Sequence, residues 1–372
     1  MSEPVPCAGS VAMATQNGPS GNGSANSVSR REMIVGSLIA AGAWLGYRLY
    51  DDKVREKSPV FVARNQKYEG DLVTTIRDGL LATGVDPAWI KGRRVLLKPN
   101  MVEPRRDRPQ MTTHPAVLSA AIEVFAKWDA EVVVGEAPGH VRDTEMALVE
   151  SGLIDVIEEH KVEFADLNYE ETRWVPNVGR QSSLEGFWMP GSIVAADLVV
   201  SMPKLKTHHW VGMTCSTKNF YGVLPGSRYG WPKNVLHHNG IPETIADIQA
   251  SVPNKLAIVD GIVCMEGDGP ILGSPKPMGL LAMGRDLASV DATCARIIGM
   301  DPARMEYLQL VAKLGGAINE RHIVQRGEDW KSMVNPFQIL DLPHIKYLRP
   351  RGIMTTKRYP CGKVVLVEQR VA

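Results

Sequence analysis

The chain has 372 residues, with 42 Lys and Arg against 41 Asp and Glu, and 44% of its residues are hydrophobic. That balance excludes a disordered tail protein, which would be poor in apolar residues and rich in net charge, and a polycation held to nucleic acid by bulk charge. The presence of only one long apolar run excludes a polytopic membrane protein, and 34 Gly with 25 Pro imply many turns and long loops.

Residues 1–28 are low-complexity, with Glu3 the only charge, and are expected to be disordered. Arg30 and Arg31 then precede an apolar stretch from Met33 to Gly46. Its length falls short of the ~20 residues of a helical span and suits the core of an export signal. The Arg pair resembles a twin-arginine leader, whereas Trp44, Tyr47 and Tyr50 would suit an uncleaved membrane anchor. Residues 29–50 are therefore expected to direct export. The export machinery would be a partner, and the mature chain periplasmic or anchored on the outer membrane face.

From Ser58 the pattern alternates. Strands are expected at Val60–Ala63, Arg94–Lys98, Glu131–Gly135, Val162–Leu167, Leu198–Met202, Leu256–Asp260 and Leu280–Met283. Helices are expected at Leu72–Ala82, from Asp86-Pro87, at Pro115–Trp128, at Thr144–Glu159 with a break near Gly152, at Asp286–Ile298, and from Asp301-Pro302 to about Leu314. The alternation predicts an α/β fold: a mostly parallel sheet flanked by helices, with long Gly/Pro-rich loops, in one domain or two lobes over residues 58–345. Residues 346–372 read as a C-terminal extension. Five scattered Cys without a CxxC (Cys7, Cys215, Cys264, Cys294, Cys361) make a poor disulfide framework, and they argue against an intrinsic iron–sulfur cluster.

The stretch 198–242 contains no Asp or Glu, but it holds Lys204, Lys206, Lys218, Arg228 and Lys233 and four of the nine His: His208, His209, His237 and His238. It starts at the end of a predicted parallel strand, where open α/β sheets bind ligands, so a cationic loop there suits a phosphate, a carboxylate or an enolate-like intermediate. If extended, Lys204, Lys206 and His208 share one side. Lys98-Pro99-Asn100 follows a second strand, and Glu136 and His140 follow a third. Thr112-Thr113-His114-Pro115 opens a helix, where the hydroxyls either hold an anion or cap. Arg105, Arg106 and Arg108, with Glu103 and Asp107 nearby, read as a mixed-charge surface loop. Asp260, Glu266 and Asp268 lie on or after a strand in a Gly-rich context and can act as base or cation ligands. Asp291, in an otherwise apolar helix, reads as half of a salt bridge with a Lys. No GxGxxG, P-loop, GxSxG or HExxH occurs.

Val95–Asn100, Thr113-His114-Pro115, Pro203–His208, Lys218-Asn219-Phe220-Tyr221-Gly222, Glu266–Pro270 and Asp286–Gly299 together resemble the domain of unknown function 362 family over roughly residues 58–345. The resemblance brings no settled activity. Some members of that family carry Cys-rich modules, which this chain lacks, and others have twin-arginine leaders. A fainter similarity to lactate-racemase-like enzymes implies His and Lys on loops around a metallocofactor, with His208, His209, Lys204 and Lys218 in such roles.

The expected function is an exported enzyme acting on a small anion in a Lys/His-lined cleft, with a divalent metal or metallocofactor as an option. The alternatives are a non-catalytic carrier or maturation protein, or a membrane-tethered interaction protein. Lys204, Lys206, His208 and Lys218 are expected to be catalytic. Lys98, Asn100, Thr113, His209 and Asn219 would bind substrate, and Asp260, Glu266 and Asp268 a metal. No nucleic-acid partner is expected.

Overall fold

A computed structural model describes residues 56–349 and the backbone of two short strands, Thr355–Arg358 and Val364–Val367. The expected N-terminal disorder and the leader at residues 29–50 lie outside the described residues, as do Cys7 and Cys361.

In chain order the strands are β1 Ser58–Ala63, β2 Arg94–Lys98, β3 Glu131–Glu136, β4 Glu163–Asp166, β5 Thr172–Pro176, β6 Gly186–Pro190, β7 Leu198–Ser201, β8 Lys204–His208, β9 Gly212–Thr214, β10 Lys255–Glu266, β11 Ser274–Gly284, β12 Ile323–Gly327, β13 Thr355–Arg358 and β14 Val364–Val367. Ten of them form one sheet, in the order β12-β1-β11-β10-β7-β2-β3-β4, with β8 beside the distal part of β10 and β9 beside β8. The pairs within β10-β7-β2-β3-β4 are parallel, and β11 runs antiparallel to both β1 and β10. The expected α/β class with a mostly parallel, helix-flanked sheet is therefore what the chain forms.

Side-chain alternation builds two cores. Val95 and Leu97 point to one face and pack with Ile76, Leu80, Leu118 and Phe125 from the helices Leu72–Ala82 and Pro115–Lys127. Leu96 points to the other face and joins Ile245, Ile248, Val290 and Leu308 from Ile241–Ser251, Leu287–Ile297 and Glu306–Lys313. Helix starts are fixed by side chains that satisfy free amides: Asp71 accepts from Thr74 N, Asp86 from Ala88 N, and Asp286 from Ala288 N. Gly152, in the left-handed region at φ 73°, separates Thr144–Ser151 from Leu153–His160 at the expected break.

The sequence understated β10 and β11. Only the buried cores of these strands read as strands; the hairpin arms beyond them carry a register shift between Gly261 and Val263, and Pro275 and Pro277. The expected Asp301–Leu314 helix divides into a short 3-10 turn, Pro302–Arg304, and the helix Glu306–Lys313.

Two turns of topology matter for function. The chain passes from β2 to β3 and β4 on one side, then returns to place β7 on the other side of β2. The carboxyl ends of β2 and β7 thus flank a topological switch point, where the crevice of such sheets lies. β8 then continues beyond β7 in extended form and crosses the same edge.

Candidate functional site

Lys98 is the last residue of β2, and Ser201 is the last of β7. Asn219, from the turn Ser216–Asn219, bridges them: its Nδ2 donates to Lys98 O at 3.1 Å and to Ser201 Oγ at 3.2 Å. That turn is itself held by Asp291, which accepts from Ser216 N and Oγ and from Thr217 N. The expected Lys partner of Asp291 is thus replaced by amides and hydroxyls, a set that satisfies a buried carboxylate without a second buried charge.

A cleft of about 140 Å³ opens above this edge. Of the residues expected at the site, Lys98, Asn100, His208, His209, Lys218 and Asn219 all line it, as do Glu136 and His140. His237 and Lys233 from the acid-free stretch line it too, along with Trp210 and Tyr221.

Five lysines approach this edge, in different states. Lys98 Nζ donates to Glu136 Oε2 at 2.5 Å, to Pro99 O at 2.8 Å and to Asn219 Oδ1 at 3.3 Å, and both charged side chains are nearly solvent-free. Burial pulls the Lys98 amine down and pushes the Glu136 carboxyl up, each opposed by the partner's charge. Lys206 has neutral acceptors only, Asn100 Oδ1 at 2.7 Å and Met111 O at 2.8 Å, and burial holds its amine well below the ordinary lysine value. Lys233 donates to Leu224 O and Asn168 Oδ1, and burial lowers its amine to about 7.

Lys204 stands apart. Its amine donates to Asp260 Oδ2 at 2.5 Å and to the Tyr68 hydroxyl at 2.9 Å, and it does not line the cleft. Asp260 also accepts from His114 N at 2.9 Å, so the group ties β8, β10 and the start of the Pro115–Lys127 helix together. The catalytic expectation for Lys204 therefore gives way to a structural ion pair.

Lys218 is the contrast. Its half-buried side chain lines the cleft, the amine lies 4.9 Å from the Tyr221 ring centroid, and it has no hydrogen bond or ion pair among the described residues. Desolvation brings it down to about 8. The Thr214 hydroxyl lines the same cleft, is buried and has no hydrogen-bond partner among the described residues. Lys218 and Thr214 thus bring a cation and a hydroxyl to one cleft with no acceptor among the described residues. Nothing in the sequence marked Thr214, because a Thr in a short buried strand reads as packing.

The histidines are fixed in distinct tautomers. His208 Nδ1 accepts from Trp210 N at 3.1 Å, which leaves the proton of its neutral ring on Nε2. His209 Nδ1 faces Gly269 O at 2.9 Å and so carries the proton there. Burial, reinforced by Lys218, holds His208 well below its usual value and His237 down to about 4. His237 stacks on Tyr221 with centroids 5.7 Å apart and meets Trp210 edge-on at 5.2 Å.

Thr113 is not at the cleft. Its hydroxyl donates to Met202 O at 2.5 Å and accepts from Asn100 N at 2.8 Å, and the cap of the next helix is His114 Nδ1 instead. Nor do Asp260, Glu266 and Asp268 meet as a metal centre. Asp260 is held by Lys204, while Glu266 is held by Lys276 at 3.0 Å and by Gln338 N at 2.9 Å. Asp268 lies 4.0 Å from His209 Nδ1. Among the described residues no three His, Cys, Asp or Glu side chains are grouped to hold a metal ion. Cys215, Cys264 and Cys294 are free and buried in the core. Arg105 and Arg106 pair at the surface with Asp107 and Asp155, as a mixed-charge loop should.

The fold and this edge define an open α/β protein with a cationic cleft at its topological switch point. Residues 95–296 match the family described as domain of unknown function (DUF362), and the chain belongs to that family. A thylakoid-associated protein of Synechocystis sp. is 29% identical over 262 residues, 69% of this chain and 79% of its own length. Among solved structures, the lactate racemase apoprotein from Thermoanaerobacterium thermosaccharolyticum aligns with a TM-score of 0.41 at 16% identity, over 67% of this chain. The chain spans 58% of the length of that structure. No helix among the described residues is long and apolar enough to cross a membrane.

Proposed function

We propose that the chain is an enzyme that draws a small anion, a carboxylate or phosphate ester, into this cleft and moves a proton on it. The observation that carries the reading is the Lys218 amine, which has no acceptor among the described residues and lines the same cleft as the unpartnered Thr214 hydroxyl. An anion supplies what both groups lack. Neutral His208 offers an Nε2–H donor, and neutral His237 is a base whose proton affinity rises once a negative ligand offsets Lys218.

A carrier without chemistry is the second reading, and one observation favours it. Glu136, a carboxylate of the cleft, is bound to Lys98 and is not a free base. Titration calorimetry with acetate and phosphate tests binding, and Lys218→Met should abolish it while the fold persists. With a carboxylate ligand, exchange of its α C–H protons for deuterium then separates the readings, since proton abstraction at carbon exchanges them and a carrier does not. A Lys218→Met variant that binds like the parent sinks both.

Export is part of the proposal. The Arg30-Arg31 leader supports it, as does a relative named for its association with thylakoids. Fusing residues 1–57 to a reporter that requires twin-arginine export tests it. Transport that survives replacement of both Arg by Lys would discard that route.

A further inference from the structure

We infer that the ligand is a monocarboxylate with an extended hydrocarbon tail, bound with its head at Lys218 and its tail in a second chamber. The inference rests on the anion-binding reading above and adds the chemistry of the rest of the molecule.

The second chamber holds about 460 Å³ and shares His209, Trp210, Pro270 and Ile271 with the cationic cleft, so the two adjoin across one wall. Its remaining apolar walls are Leu272, Leu340 and Leu342. Leu272 and Trp210 are 68% and 49% exposed, large apolar side chains left in water beside an opening. A ligand confined to the inner cleft leaves them wet, whereas a tail running over Trp210 and Ile271 covers them and gains their burial.

Charge fixes the polarity of the ligand. The cation without an acceptor, Lys218, is in the inner cleft, and no Lys or Arg lines the outer chamber among the described residues. Glu103 lines that chamber with His209 and His344, and Asp268 there sits 4.0 Å from His209 Nδ1. A second carboxylate at the far end of the ligand would meet Glu103, so the site selects a monoanion over a dianion of equal length.

The test is titration calorimetry of the full chain with straight-chain carboxylates from acetate to decanoate, and with decanedioate. Affinity should rise about fourfold per methylene over the middle of the series, the value expected for burial of CH₂ groups. Decanedioate should bind at least about tenfold more weakly than decanoate, because juxtaposed like charges cost at least that much. Leu272→Asp, at an exposed position that the fold does not need, should flatten the length dependence. Lys218→Met should weaken every member of the series. A flat series in the parent chain, with acetate binding still dependent on Lys218, overturns the tail and leaves the anion reading standing. A length dependence indifferent to Leu272→Asp also overturns it. If no carboxylate binds, both readings fall.

Discussion

Lys98 and Glu136 close adjacent parallel strands, and their side chains meet at 2.5 Å with almost no solvent contact. The pair is packed against backbone: a Cβ added at Gly222 would collide with both Glu136 Oε1 and Lys98 Nζ. The floor of the cleft is thus a buried ion pair roofed by Gly222, where a side chain would have to push both charged ends aside.

Removing one partner of this pair strands a buried charge. Glu136→Gln should destabilise the chain by about 3–5 kcal/mol, read from urea unfolding, whereas Lys98→Met with Glu136→Leu should recover most of the loss. Equal stability for Glu136→Gln and the parent would show that the pair carries no such weight.

Gly222→Ala addresses the same floor from above. The added methyl forces Lys98 and Glu136 apart, at a cost of about 1–3 kcal/mol by overpacking. Acetate affinity should fall as well, because Lys98, Glu136 and Gly222 line the cleft together. An unchanged melting temperature would mean that the pair shifts freely.

Binding should depend on pH through Lys218. Its amine is protonated below about 8, so carboxylate affinity should be level from pH 6 to 7 and fall as pH rises through 8. Calorimetry across that range checks the direction, and a rise in affinity above pH 8 would exclude Lys218 as the docking cation.

Stability of the ligand-free chain should move the other way. Lys233 titrates near 7 and Lys218 near 8 in the fold, against an ordinary lysine value of 10.5. Between those limits the unfolded chain holds protons that the folded chain has released, so stability increases as pH rises from 7 towards 10. Denaturant titrations at pH 7 and 9 should show the gain, and Lys218→Met should reduce it.

Asp260→Asn separates structure from function. It leaves Lys204 buried beside an amide and should cost about 3 kcal/mol or more. It should leave acetate affinity unchanged, since neither residue lines the cleft. Lost binding in a folded Asp260→Asn chain would return Lys204 to the site.

How far the sequence can be read follows from the range of the forces involved. The Leu72–Ala82 helix was legible to the residue because its signals are local: Asp71 as cap, then Leu72, Ile76 and Leu80 on one face. The acid-free stretch marked Lys218, His208, His209 and Asn219 because charge sorting survives in one dimension. Lys204 and Lys206 share the same β8 face and look equivalent in sequence. What separates them is Asp260 and Tyr68 on one side and Asn100 on the other, all far away in the chain. Glu266 and Asp268 looked like a cation site until the strand register brought Lys276 to Glu266. Partners distant in sequence decide which buried charge is spoken for, and no local pattern encodes them.

The buried amines also change how the protein responds to covalent reagents. Lys98, Lys204 and Lys206 are fully buried with their protons committed to acceptors, so acylating reagents should modify them only in molecules whose sheet edge has opened. Lys218, less basic and facing the cleft, should acylate readily in the empty chain and be shielded when an anion is bound. Mass-spectrometric footprinting of these four positions would therefore report unfolding and occupancy from one sample.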